Sequence, residues 1–503
     1  MANQSSRLLA ALDLGSNSFH MIVARHSDDG GLQIVDRLRE PVRLGLGLQD
    51  GSLDEETENR ALDCLRRFGQ RIEPLSAQAV RVVGTNTLRQ LNGQNNFLKR
   101  AGKALGQPID VISGIEEARL IFLGVAHSLQ SDERRLVVDI GGGSTELIVG
   151  RGFKPDAMES VYAGCISVGR GPFGDGQLTS NKMRKAKLDA QRRFEPVIET
   201  FSDLRWQTVV GASGTIRSVR DVAAACHLTE RADTSELTGA AVAEIVDRVA
   251  AAGSLDQLDL PGLKADRRMV FPGGIAVLST VFETLNIDRM RVSDGALREG
   301  LLFDLVGRSG GDDIRELTVN AVADRYHVNQ QRTQRIATTA ANFLPQVRKT
   351  AQIDIPDADK FLRWAATLHT IGLDIAHSGY HKHGGYILAN ADLPGFSRDE
   401  KQLLALLVRG HRRKLPRELA CAVRGSWQRS TAWLLAIIRL SVLLHRGKRQ
   451  QAVPPMELTC KKQTLTLILP KNWLEEHPLT AADLEDERHY LRSYDIELLF
   501  KSA

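Results

Sequence analysis

Aromatic residues are scarce in this chain: Phe, Trp and Tyr together make up 5% of 503 residues. Single-stranded nucleic acid is usually gripped on aromatic platforms, so no nucleic acid is expected as a partner. Cysteine is also sparse. Cys64, Cys165, Cys226, Cys421 and Cys460 are scattered, odd in number and contain no C-x-x-C pair. That excludes a disulfide framework and a cysteine-rich structural zinc site. Long apolar runs are missing. Leu8–Leu12 is cut by Asp13 and is too short for a signal peptide. The stretch 432–444 is interrupted by Arg439 and falls below the ~18–20 residues that a membrane span needs. A reducing cytoplasm is the expected location. No G-x-x-x-x-G-K-[ST] occurs, and Gly45-Leu46-Gly47 lacks the rest of a dinucleotide fingerprint.

What is present is a long chain of ordinary composition, 42% hydrophobic and 25% charged. At roughly 100–200 residues per domain it holds about three or four domains. The net charge of +5 is unevenly spread. Residues 321–450 carry 21 Lys and Arg against 9 Asp and Glu, a net of +12, which leaves about −7 elsewhere. Basic clusters include His411-Arg412-Arg413-Lys414 and His445-Arg446-Gly447-Lys448-Arg449. Such asymmetry points to a polyanion. Inorganic polyphosphate fits, and peripheral contact with the inner face of an anionic membrane is a second candidate. A solvated helical surface would look the same for any one cluster.

The first ~300 residues alternate short β-rich runs with amphipathic helices, the sign of an α/β fold. Leu8–Leu12, Phe19–Ala24, Ala79–Val83, Ile109–Ile112, Leu136–Val138, Leu147–Val149, Thr208–Val210, Met269–Phe271 and Met290–Val292 read as strands. Glu55–Ile72, Ile115–Leu123 and Lys182–Phe201 read as helices. From about 307 to 445 helical patterns dominate. The tail has strand-like runs at Met456–Cys460, Thr464–Leu469 and Ile496–Phe500, a small α+β domain. The expected domains are 1–123, 124–306, 307–445 and 446–503.

An internal duplication organises the first half. Residues 12–23 align without gaps to residues 138–149, at a constant offset of 126. Each copy reads strand, Asp-x-Gly with small or polar residues, strand. Asp and Gly are turn residues in any case, but five identities in twelve positions favour two related halves facing one cleft. Glycine and serine turns expose consecutive backbone N–H groups that can converge on an anion. Ser16, Ser18, Ser144 and Thr145 add hydroxyls. A carboxylate beside a phosphate repels it, so Asp13 and Asp139 are better placed to hold a hydrated Mg²⁺. Glu146, seven residues after Asp139, can share that ion. Ordinary turn capping is the bland alternative. Further loops follow strands at Gly84-Thr85-Asn86-Thr87-Leu88-Arg89, Gly211-Ala212-Ser213-Gly214-Thr215 and Pro272-Gly273-Gly274. Arg89 offers a guanidinium fork to phosphate, and a helix opening on Gly and Ser favours anions.

These turns resemble those of the actin and sugar-kinase superfamily. Asp13-Leu-Gly-Ser-Asn-Ser, Gly84-Thr-Asn-Thr-Leu-Arg, Ser113-Gly-Ile-Glu-Glu-Ala-Arg-Leu, Asp139-Ile-Gly-Gly-Gly-Ser-Thr-Glu and Ser293-Asp-Gly-Ala-Leu-Arg-Glu-Gly look like the exopolyphosphatase and guanosine-pentaphosphate phosphohydrolase family. The resemblance covers residues ~8–305; the remainder is similar to the C-terminal extension of long bacterial exopolyphosphatases. It implies two duplicated actin-like (ribonuclease H-like) α/β domains, an all-α domain related to the HD phosphohydrolases and a small α+β C-terminal domain. It also implies Mg²⁺-dependent, processive release of orthophosphate from the end of polyphosphate by a homodimer. A monovalent cation such as K⁺ is a further candidate cofactor.

By that resemblance Glu117 is the general base. Its position in the first turn of a helix suits the ionised form, although Glu116 and Glu117 would be unremarkable as N-terminal helix carboxylates. Gly141, Gly142, Gly143 and Ser144 would cradle the terminal phosphate. Ser16, Asn17, Ser18, Thr87 and Arg89 would face them, with Gly211, Ser213 and Gly214 further along the cleft. Asp139, Glu146 and Asp13 would serve the metal. The HD-like region departs from its parent pattern: His369 is followed by Thr370 where a working site has aspartate. His377, His381 and His383 lie close by and are expected to contact polyphosphate or a dimer partner rather than a metal. The rival within the family is a guanosine-pentaphosphate 5′-phosphohydrolase with the same motifs. An actin-like ATPase or kinase would need an acceptor site that is not visible, and a non-catalytic polyanion binder would not need Glu117.

Overall fold

Both Asp-x-Gly segments form the turn of an antiparallel hairpin, and the first four strands of the two halves repeat one order. Strands β1 (Arg7–Leu14), β2 (Phe19–His26) and β3 (Leu32–Glu40) form a meander, and β4 (Val80–Gly84) and β5 (Asp110–Val111) add in parallel, giving β3-β2-β1-β4-β5. In the second half β6 (Arg134–Ile140), β7 (Thr145–Arg151) and β8 (Lys154–Val161) repeat the meander. Strands β9 (Thr208–Gly211), β10 (Glu236–Thr238) and β11 (Arg289–Val292) complete the order β8-β7-β6-β9-β11-β10. The chain is seen in a computed structural model that describes residues 7–26, 32–76, 79–92, 96–129, 131–229, 236–310, 313–414, 427–446 and 453–502. It divides into two compact units, Met1–Asp313 and Ile314–Ala503. Cys421 and the Gly447-Lys448-Arg449 part of one basic cluster lie outside the described residues.

The central strands are apolar along their whole length because both faces are covered. Leu136, Val137, Val138, Leu147, Ile148 and Val149 are all fully buried. Helices α1 (Glu55–Ile72), α2 (Asn86–Gln90) and α3 (Gly114–Leu129) belong to the first half. Helices α4 (Cys165–Phe173), α5 (Ser180–Ser202), α6 (Gly214–Ala225), α7 (Phe271–Thr284) and α8 (Leu297–Gly310) follow. Helices α3 and α8 cross beneath the two sheets with their backbones in contact. A Cβ on Gly300 would strike the Leu120 carbonyl, and one on Gly124 the Ala296 carbonyl. The apolar core there takes residues from both sheets, among them Ala11, Val137 and Val210, with Leu120 and Leu301 from the helices. A buried ion network accompanies it. Arg119 donates to Glu116 at 2.7 Å and to Asp304 at 2.6 Å, and Arg308 to the other Asp304 oxygen at 2.8 Å.

One expected strand is absent. Met269–Phe271 is turn followed by helix, because Pro272 sits in the first turn of α7, where its missing N–H costs nothing. Gly273 there lets α7 pack closely on Gly169 of α4. Three strands of these two sheets escaped the sequence reading, β3, β8 and β10. All three are edge strands; β3 is largely exposed, β8 is half-buried with charged residues interspersed, and β10 is only three residues long.

The second unit contains helices Ile314–Arg325, Gln330–Arg348, Ala358–Leu368, Tyr380–Asn390, Arg398–Gly410 and Trp427–Leu444. A three-stranded sheet follows, Glu457–Lys461, Thr464–Leu469 and Glu497–Ser502, with helix Pro478–Arg492 before its last strand. Arg439, which breaks the apolar run in sequence, is 1% exposed. It pairs with Glu487 of helix Pro478–Arg492 and donates to the carbonyls of Gly410 and Arg413. The charge is therefore a buried tie between elements. No described helix is long and apolar enough to cross a membrane. His369 and His411 are buried side by side, ring centroids 5.2 Å apart, each with Nδ1 against a carbonyl three residues earlier. His381 is buried near them, whereas His377 is exposed and His383 intermediate. Among the described residues no three His, Cys, Asp or Glu side chains could hold a metal ion.

Candidate active site

The hairpin turns of the two halves meet at their tips. A Cβ on Gly142 would lie 2.9 Å from the Ser16 Cβ, and one on Gly143 would collide with Asn86. Only glycine allows that approach. The carbonyls of both turns are tied back by the segment that follows each meander. Ser16 O and Asn17 O accept from the amides of Gly45 and Arg43, both at 2.8 Å. Gly142 O accepts from Ile166 at 2.8 Å, and Gly141 O from Cys165 at 3.0 Å. With the carbonyls held on that side, the turn amides are left to the opposite side, the arrangement of an anion nest.

At the roots of the hairpins lie the carboxylates. Asp13 pairs across β1–β2 with His20, and Asp139 across β6–β7 with Glu146. Helix α3 brings Glu117 to the same place. Its start is pinned by Ser113, which accepts from the Glu116 amide at 3.1 Å, and by Gly114, whose missing side chain leaves room for Ser160. Ser160 in turn donates to Glu146 at 2.8 Å. The two adjacent glutamates have separate fates. Glu116 is fully buried in the Arg119 network, whereas Glu117 accepts from Arg89 Nη1 at 2.8 Å. Arg89 also donates to the Ile112 carbonyl, which fixes its aim.

The cluster is electrostatically strained. Burial, then the charge of Glu117, pushes the Asp13 carboxyl up to about 7. Burial, then Glu117 and Asp13, raises Asp139 well above the carboxylate range. Glu146 is raised by burial, Glu117 and Asp139, and opposed by Arg89 and the Ser160 hydroxyl. Uncompensated negative charge from oxygen ligands suits a hard divalent cation. Among the described residues no three His, Cys, Asp or Glu side chains converge closely enough to hold a metal ion directly.

Facing the carboxylates is a set of arginines to which the sequence reading gave no role. Arg298 Nη1 donates to His20 Nδ1 at 3.0 Å; arginine has no acceptor, so His20 is the acceptor here. Burial, then Arg298, Arg39, Arg267 and Arg217, holds His20 far below the usual imidazole range. Arg217 is itself lowered by burial and by Arg298, and Arg267 by burial and Arg39. Repelling, half-desolvated guanidiniums are what a bound polyanion would relieve. Two signals were available: Arg298 lies inside the 293–300 motif, and His20 is the duplicate of Glu146.

The remaining expected residues divide. Ser16, Thr87, Gly142 and Gly143 line one cavity of about 260 Å³. Asn17, Ser18 and Ser144 are buried in the turns, and Asn17 Oδ1 finds no hydrogen-bond partner. Gly141 closes its own turn, donating to Ser144 O at 2.9 Å. Gly211, Ser213 and Gly214 do not line that cavity. Ser213 caps α6 by accepting from Ile216 at 3.0 Å, and Arg267 fills the space beside Gly214.

Comparison with known proteins identifies the family. The Ppx/GppA phosphatase family matches residues 22–309, and Ppx/GppA phosphatase, domain III, matches residues 314–488. A guanosine-5′-triphosphate,3′-diphosphate pyrophosphatase of Vibrio cholerae is 39% identical over 487 residues, covering 96% of each chain. The protein of the same name from Vibrio parahaemolyticus is 40% identical with the same coverage. Among solved structures, the PPX-GPPA enzyme of Aquifex aeolicus is 25% identical with a TM-score of 0.50, covering 59% of this chain and 99% of its own. An exopolyphosphatase-like protein is 25% identical with a TM-score of 0.53, covering 60% and 98%. With both units matched and the duplicated turns in place, the chain belongs to the Ppx/GppA phosphatase family.

Proposed function

We propose that the chain hydrolyses the terminal 5′-phosphate of guanosine-5′-triphosphate,3′-diphosphate, releasing orthophosphate and the 5′-diphosphate,3′-diphosphate. The observation that carries the chemistry is Glu117, paired with Arg89 and facing Asp13, Asp139 and Glu146. The choice of nucleotide rests on full-length relatives of that name. The sequence reading ranked the polymer first; these relatives favour its alternative.

Hydrolysis of a phosphoanhydride needs a water in line with phosphorus, a base for its proton and charge to neutralise the transferring group. Glu117 accepts the proton of the attacking water. Arg89 holds that carboxylate and offers its remaining N–H groups to phosphate. The turn amides and Arg298 and Arg217 stabilise charge on the phosphate oxygens. Asp139, Glu146 and Asp13 would hold Mg²⁺, which would supply charge neutralisation for the transferring phosphoryl group. A second reading, exopolyphosphatase, is favoured by one observation, the +12 charge of residues 321–450.

Phosphate release by the purified protein with Mg²⁺ separates the two. The nucleotide and long-chain polyphosphate are compared at matched concentrations of chain ends. The proposal expects kcat/KM at least ~10-fold higher on the nucleotide, a difference of about 1.4 kcal/mol in barrier. Faster release from the polymer would replace it with the exopolyphosphatase reading.

A further inference from the structure

The third strand of each meander sets one residue opposite the hairpin root. In the first half it is Arg39 opposite His20, and in the second Ser160 opposite Glu146. Arg39 adds its charge to the arginine wall around His20. An arginine opposite Glu146 would instead pair with the carboxylate and compensate its charge. Ser160 does not. Its hydroxyl donates to Glu146 Oε1 at 2.8 Å, which orients the carboxylate and leaves its negative charge for a cation.

Ser160 also meets the helix that carries Glu117. A Cβ on Gly114 would overlap both Cβ and Oγ of Ser160 and lie 3.8 Å from Arg89 Nη2. Gly114 opens α3, three residues before Glu117. Its backbone is not left-handed, so the approach of Ser160 is what requires glycine there. Arg89, the other neighbour at that point, donates to Glu117 at 2.8 Å and to the Ile112 carbonyl at 3.1 Å. Neither contact of Ser160 serves the apolar core, since β8 is an edge strand and the serine is half-buried. Both contacts reach a glutamate of the site, one directly and one through the helix start.

We propose that Ser160 is a positioning residue with two roles: its hydroxyl orients Glu146 toward the divalent cation, and its contact with Gly114 sets the base Glu117 against that glutamate. The assignment rests on the roles given to Glu117 and Glu146 in the function proposed above. Ser160 belongs to the second half and Gly114 to the first, so the contact fixes one carboxylate of each half relative to the other. A hydroxyl suits this place because it supplies one directional bond without a compensating charge. An outer partner of this kind restricts how a ligand carboxylate turns, and metal sites depend on such partners nearly as much as on the ligands. The second role is steric. A methyl group at Gly114 has no room beside Ser160, so the helix start, and Glu117 with it, must shift to admit one.

The test uses the full-length protein. Ser160→Ala removes the hydroxyl and keeps the Cβ against Gly114. Binding of Mn²⁺, which takes the same oxygen ligands as Mg²⁺, is counted by electron paramagnetic resonance without substrate. Affinity should fall about 10-fold, the scale on which an outer partner supports a metal ligand, with the melting temperature unchanged. Phosphate release from the nucleotide should need correspondingly more Mg²⁺, while kcat at saturating Mg²⁺ stays within about threefold of wild type. Gly114→Ala tests the second role: kcat at saturating Mg²⁺ should fall at least ~10-fold as Glu117 is displaced. Adding Ser160→Gly clears both atoms that the new methyl meets, and should bring kcat back to the level of Ser160→Gly alone. A lower melting temperature in Ser160→Ala with wild-type Mn²⁺ affinity would mark a merely structural serine and overturn the first role. Full turnover in Gly114→Ala, or a loss that Ser160→Gly does not relieve, overturns the second. The proposed function stands in each of these cases. A wild-type protein that binds no Mn²⁺ and releases phosphate without a divalent cation overturns the metal roles of Asp13, Asp139 and Glu146 together with this assignment.

Discussion

His20 and Glu146 occupy the same position in the two hairpins, and they carry opposite chemistry. His20 pairs across its hairpin with Asp13 as Glu146 pairs with Asp139. Around His20 gather Arg39, Arg217, Arg267 and Arg298. Around Glu146 gather Asp139, Glu117 and the Ser160 hydroxyl, with Arg89 as the nearby cation. A duplicated scaffold thus carries one wall rich in guanidinium groups and one rich in carboxylates.

Glu146→Gln should therefore raise the Mg²⁺ concentration for half-maximal activity about 10-fold, the scale of losing one supporting ligand. Because Asp13, Asp139 and Glu146 hold protons more tightly than free carboxyls, a cation must displace those protons. Half-saturation by Mg²⁺ should fall between pH 6 and pH 8. A requirement that ignores both the substitution and pH would remove these residues from the metal site.

Glu117→Gln should lose at least ~100-fold in turnover, as expected for a general base, while nucleotide binding measured by calorimetry persists. Glu116→Gln is the contrasting variant. It disturbs the Arg119 network, so its effect should appear in thermal stability. Full turnover in Glu117→Gln would end the assignment.

Asp13→Asn should stabilise the Mg²⁺-free protein in a pH-dependent way. The folded Asp13 carboxyl titrates near 7 against an ordinary 3.8. Below 3.8 both folded and unfolded states hold the proton. As pH rises toward 7 the folded state binds more protons than the unfolded, so wild type loses stability. Asp13 keeps partial solvent exposure, which screens the effect to about 1–2 kcal/mol. Melting temperatures at pH 5 and pH 8 should diverge between the two proteins, with the larger gap at pH 8.

Asp304→Asn should cost about 3–5 kcal/mol of stability, the usual result of stranding a buried partner charge. Burial alone would raise Asp304, but Arg308 and Arg119 hold it below the carboxylate range. Its contribution is present above the ordinary carboxylate value and lost as pH falls. Urea unfolding at pH 7 measures it; a shift under ~1 kcal/mol would mean the network matters little to α3–α8 packing.

The second unit should weaken in mild acid. Burial lowers His369 to about 4 and His381 to about 4, and holds His411 well below the imidazole range. Between about pH 6.5 and 4 the unfolded chain binds these protons and the folded one does not, so stability falls with pH. His369→Gln should blunt that fall, followed by circular dichroism from pH 7 to pH 4. An identical acid profile would show that His369 does not titrate on unfolding.

Much of this protein was legible in one dimension. The constant offset of 126 announced two related halves, and the shared order of their first four strands agrees with it. Helix Glu55–Ile72 follows its apolar periodicity residue for residue. Strands β3 and β8 left no periodic trace, because edge strands with exposed faces are under weak hydrophobic constraint. Met269–Phe271 misled because three apolar residues fit a strand or a helix start equally well.

The sequence by itself determined the chemistry available: Asp-x-Gly turns small enough for backbones to approach, a Glu-Glu pair at a helix start, and a family signature around them. Tertiary structure decided which of these groups act on one another. Glu116 and Glu117 are neighbours of one residue type, yet packing turns one into the Arg119 network and the other onto Arg89. Arg298 and His20 stand 278 residues apart, and Asp50 and Tyr162, far apart in the chain, line one cavity. Periodicity records how each element meets the core. Burial, charge coupling and cavity shape arise only where distant elements converge, so no local pattern carries them.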